Sequence, residues 1–155
     1  MNFLLLIQDS SLSTWIRESD WALFALLIVH TLGMAFLVGT SISMMLRVLG
    51  IAAQVPLNLM VRFVPLTTYG LVLAILSGVL LVLSYPAKAL TNPVFYFKLV
   101  VLAIAFALTR NVMQRAVQPA LDRTKIVAAL CLLLWLVGTT AGKFLAYTNT
   151  MLLVY

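Results

Sequence analysis

Four apolar stretches, separated by prolines, glycines and basic residues, divide the chain. The first, Trp21 to Met45, amounts to about 38 Å of helix at ~1.5 Å per residue, enough to cross a hydrocarbon core roughly 30 Å thick. Gly50 and Pro56 break the pattern, and a second stretch runs from Phe63 to about Tyr85. Pro65 falls in its first turn, where a missing amide donor is tolerated, and Pro86 ends it. The third covers Pro93 to about Met113 and the fourth Ile126 to about Tyr147. The pattern predicts an all-α, four-transmembrane-helix bundle, with an N-terminal segment over 1–20 and one membrane domain over 21–155.

The N-terminal segment has a different rhythm. Leu12, Trp15, Ile16 and Ser19 recur at helical spacing, with Arg17, Glu18 and Asp20 off that side, which predicts a short interfacial helix capped by Ser11 or Ser13. The opening run MNFLLLI lacks the basic flank and small-residue cleavage site of a secretory signal and is expected to stay. Between the third and fourth stretches lies TRNVMQRAVQPALDRT, expected to hold a short helix stopped before Pro119. No short sequence repeat stands out.

Composition agrees with this reading. At 155 residues, 64% hydrophobic and 9% charged, with a mean hydropathy of +1.13, the chain is too apolar for an ordinary soluble domain. A net charge of +6 raises the question of nucleic acid, but the ten basic residues form no patch and sit mostly at segment ends, as membrane topology requires. Arg47, Arg62, Arg110, Arg115, Arg123 and Lys125 fall on one side, against Arg17 and Lys88 on the other. The first group marks the cytoplasmic face and leaves both termini outside. Cys131, the single cysteine, excludes an intrachain disulfide.

Three ionisable residues lie inside the spans. His30, the only histidine, is about 14 Å down the first helix, Lys98 about 8 Å into the third and Lys143 about 6 Å from the end of the fourth. On this topology all occupy the outer half of the bundle. Intramembrane ionisable groups face a bundle interior or water and mark functional sites, so His30, Lys98 and Lys143 form a candidate ligand site. The structural alternative has each lysine reaching the interface or pairing with Glu18 or Asp20, and His30 bonding a carbonyl or hydroxyl across helices.

Several ligands suit an imidazole there. Met34, one turn from His30, completes a nitrogen and thioether pair for Cu(I), with Met44, Met45 and Met60 as a path inward. Haem b fits His30 with a methionine or with a second subunit's histidine, the lysines meeting the propionates. A quinone would accept hydrogen bonds from His30 and a lysine. No nucleophile, base and orienting residue form a triad and no carboxylate lies inside a span, so the chain reads as non-enzymatic.

Small residues recur every four positions in Gly70, Ala74 and Gly78, and again in Gly138, Gly142 and Ala146. Such stripes let helix backbones approach closely, within the bundle or at an oligomer face.

The third stretch, with Asn92, Phe95, Lys98, Asn111, Arg115 and Pro119, resembles the copper-resistance D-type membrane domain and small uncharacterised bacterial four-helix proteins similar to it. His30 with Gly39, the run Arg47-Val48-Leu49-Gly50, Gly78, and Ala141-Gly142-Lys143 with Ala146-Tyr147 resemble the uncharacterised group in particular. The resemblance spans nearly the whole chain and implies a bacterial inner-membrane bundle. It implies copper less, because the extended membrane portion and metal-binding segments of a dedicated importer are absent, and Lys143 stands where those relatives favour arginine. The expectation is a small inner-membrane subunit in the lipid bilayer, binding a cofactor or small ligand in its outer half as an accessory or anchor of a membrane complex or a homo-oligomer. Copper handling and a purely structural scaffold are the alternatives.

Overall fold

A computed structural model describes residues 2–56, 59–60, 62–115 and 122–151, of which 2, 3, 115, 122 and 146–151 are described by backbone alone. Among the described residues there are seven helices and no strand. Two short ones, α1 (Asn2–Gln8) and α2 (Ser11–Glu18), precede α3 (Ala22–Val48). Then come α4 (Val64–Ser84), the short α5 (Pro86–Leu90), α6 (Pro93–Arg115) and α7 (Asp122–Met151). Four of them, α3, α4, α6 and α7, are long and apolar enough to cross a membrane. The expected short helix before Pro119 falls largely on 116–121, outside the described residues.

The long helices pair as two antiparallel hairpins, α3 with α4 and α6 with α7, and α3 is the central element, touching α4, α7 and α6. Their burial is inverted relative to a soluble protein. In α3 and α4 the buried positions include Gly33, Ser41, Thr67, Gly70, Ala74 and Ser77, whereas Phe24, Ile28, Leu32, Phe36, Tyr69, Ile75 and Leu76 point outward. Small and hydroxyl residues inside, with large apolar side chains outside, is the arrangement of helices packed in lipid, where association rests on close contact and interhelical hydrogen bonds. This is a small multi-pass membrane protein.

Close contact is sharpest where α3 crosses α4. A β-carbon on Gly33 would stand 2.7 Å from the Ala74 amide nitrogen, and one on Gly70 would stand 2.6 Å from that of Leu37. Thr40 and Thr67 join their hydroxyls across the same pair at 2.7 Å. In the other hairpin the indole of Trp135 donates to Thr109 Oγ1 at 2.9 Å, with Cys131 3.1 Å from the same oxygen. These residues are buried, and Trp135 anchors an apolar core with Leu37, Met44, Met45, Ala105 and Val112.

The two hairpins repeat one buried register. In α3 and α6 the buried pairs Gly33 and Val101, Leu37 and Ala105, Ser41 and Thr109, and Met44 and Val112 are each 68 positions apart. In α4 and α7 the same spacing links buried Thr67 with Trp135 and Gly70 with Gly138. His30 and Lys98 stand in this register too.

Local chemistry sets the helix ends. Gly50, at φ +95°, closes α3: its amide bonds Arg47 O and the Ile51 amide bonds Leu46 O, the paired bonds of a left-handed cap that glycine adopts without strain. The Arg47 side chain then donates to Val55 O, tying the following loop down. The cap of α2 is Ser10, whose hydroxyl accepts from the Ser13 amide, and not Ser11 or Ser13 as expected. The helix starts earlier because α1 ends at Gln8 and the break falls at Asp9 and Ser10, which frees Ser13 for a tertiary role. Its buried hydroxyl donates to Ser84 O at 3.3 Å, and Arg17 Nη1 donates to the same carbonyl. A cation thus sits on the carboxyl end of α4, the favourable end of the helix dipole.

Candidate functional site

His30 projects from α3 toward α4. Its Nδ1 lies 2.9 Å from Ser77 Oγ, and Ser77 Oγ lies 2.6 Å from Leu73 O. A serine hydroxyl has one proton, and the short contact to Leu73 O places it there. Ser77 therefore accepts and His30 carries a proton on Nδ1, so that in the neutral ring Nε2 keeps its lone pair. The ring stands over Gly78, where an added β-carbon would come within 3.2 Å of Cε1. Gly78 makes room for the imidazole, whereas the space at Gly33 is filled by the α4 backbone.

Lys98 projects from α6 toward α7 in the same fashion. Its stem runs over Gly142, with Cδ, Cε and Nζ within 3.7–3.9 Å of where a β-carbon would be. Half-buried, it makes no hydrogen bond or ion pair among the described residues. Each intramembrane polar group thus lies over a glycine of its own hairpin partner.

Lys143 is exposed and stands next in sequence to the glycine that seats Lys98. Met34 packs against the apolar core, as does Met60, and Met44 and Met45 are buried within that core. Among the described residues no three histidine, cysteine or carboxylate side chains gather as a metal site. Of the small-residue stripes, Gly70 and Ala74 meet the α3 backbone and Gly138 meets Leu102 and Val101 of α6. The side chain of Ala146 is outside the described ones.

Ser77 is the site residue that sequence reading passes over. Its signal is nonetheless present, since Thr67, Gly70, Ala74 and Ser77 follow one another at three- and four-residue steps and so share a face. No family model, curated protein or solved structure matches the chain.

Proposed function

We propose that the chain is a non-enzymatic subunit of the bacterial inner membrane that holds a small ligand in the outer half of its bundle and serves a larger membrane complex or homo-oligomer as accessory or anchor. Lys98 is the charged contact, and the His30 ring, held by Ser77, is the second side chain of the site. The observation that carries this reading is an intramembrane ammonium with no partner among the described residues, at the register position that matches an imidazole held by Ser77. A charge in hydrocarbon is costly and is retained where a site uses it. The distribution of basic residues supports an outer position for the site and both termini, and the resemblance to the copper-resistance D-type domain supports the inner membrane.

Native mass spectrometry of the detergent-extracted protein, with a visible spectrum and metal analysis, tests the proposal. Wild type is expected to carry a bound species that Lys98→Met loses, His30→Gln retains weakly and Lys143→Met keeps. A Soret band or stoichiometric copper that disappears with His30→Gln would identify the species as haem or metal. An unliganded wild type, or equal retention in all four proteins, contradicts the proposal and leaves a structural scaffold.

A further inference from the structure

Beside the Lys98 seat, α6 and α7 leave an apolar groove of about 330 Å³ lined by Phe97, Leu136, Val137, Thr140, Ala141 and Phe144. We propose that the ligand is a long-chain carboxylic acid, its carboxylate on Lys98 and its hydrocarbon tail in this groove. The inference rests on the Lys98 site reading above.

Chain adjacency sets the depth of the groove. Phe97 and Ala141 are the chain neighbours of Lys98 and Gly142, which touch each other, so groove and cation lie at one level of the α6 and α7 pair. Phe97, Leu136 and Phe144 are exposed, so the groove is open along its length to lipid and a tail enters sideways. Its only hydroxyl is already spent, Thr140 Oγ1 donating to Leu136 O at 2.7 Å, so the lining offers hydrocarbon contact alone.

Size and charge narrow the chemistry. A volume near the bottom of the roughly 300–1,000 Å³ range of ligand pockets takes a single chain rather than a macrocycle. One lysine balances one negative charge. A carboxylate matches it with an acceptor-only head, whereas a doubly charged phosphate would leave a charge uncompensated in hydrocarbon.

The test is binding of deuterated palmitate to the delipidated, detergent-solubilised protein, read by native mass spectrometry, with hexadecanol as the uncharged control. The expected result is one palmitate per chain, hexadecanol roughly tenfold weaker or more, and Lys98→Met losing palmitate by a similar factor, as for a charged hydrogen bond. Thr140→Trp fills the groove from its exposed side without disturbing the core, and is expected to lose palmitate while Lys143→Met keeps it. Equal uptake of palmitate by wild type and Lys98→Met, or of hexadecanol and palmitate by wild type, would be partition into the micelle and overturns the proposal. If the co-purifying species depends on Lys98 yet survives Thr140→Trp and is not displaced by palmitate, the site stands and this ligand class fails. If Lys98→Met changes neither the co-purifying species nor palmitate uptake, both fail.

Discussion

At the scale of single residues, glycines decide where the polar groups go. His30 and Lys98 occupy matching register positions, and each lies over a glycine of the next helix, Gly78 or Gly142. Gly33 and Gly70 have the other use, letting two backbones touch. Gly70→Leu should therefore destabilise the bundle by about 3 kcal/mol or more, since its new side chain meets backbone rather than a yielding side chain. Gly39→Leu is the control: it is exposed, nothing lies within 4 Å of its added β-carbon, and its effect should be near zero. Reversible unfolding in mixed micelles measures both. Ser77→Ala removes one interhelical bond, worth about 0.6 kcal/mol on average and at most ~1.7 in membrane proteins, and should cost an amount in that range.

At the scale of elements, the four spans are legible in the sequence because lipid imposes length and apolarity together. Their ends are less legible. The first span continues past Met45 to Val48, and the fourth begins at Asp122 rather than Ile126, since polar residues at a membrane surface continue a helix as readily as apolar ones. The N-terminal cap is misread by one residue because Ser10, Ser11 and Ser13 are alike in chemistry, and only the position of the break after α1 chooses among them. The docking of α2 is invisible to periodicity, since it depends on a carbonyl 67 residues from Arg17. Arg17→Ala should release that contact. Amide exchange across 11–18 is expected to rise while α3 and α4 stay protected; unchanged exchange would mean that Ser13 alone holds the helix.

At the scale of the whole molecule, the 68-residue register is hidden from sequence comparison because burial repeats where identity does not. Ser41 matches Thr109 in size and hydroxyl, and Leu37 is exchanged for Ala105 and Thr67 for Trp135, so each hairpin fills its interface with different volumes. The candidate site is half legible for the same reason. His30 and Lys98 are conspicuous as ionisable groups in apolar runs, but only the fold shows that Ser77 holds the ring and that Lys143 is exposed. Orientation is testable directly, because the native Cys131 is buried. Ala53→Cys is expected to resist an impermeant thiol reagent in intact cells and Thr91→Cys to react; the reverse pattern would invert the topology and move the site to the inner half.

If a pre-oriented imidazole and an intramembrane ammonium form one site, the ring must sense the loss of the charge. A single histidine makes it accessible to nitrogen NMR with 15N-histidine labelling, since every ring signal belongs to His30. The proton facing Ser77 is expected on Nδ1, and the Nε2 resonance is expected to shift in Lys98→Met and to stay in place in Lys143→Met. A proton on Nε2 alone, or a ring indifferent to Lys98, would contradict this account.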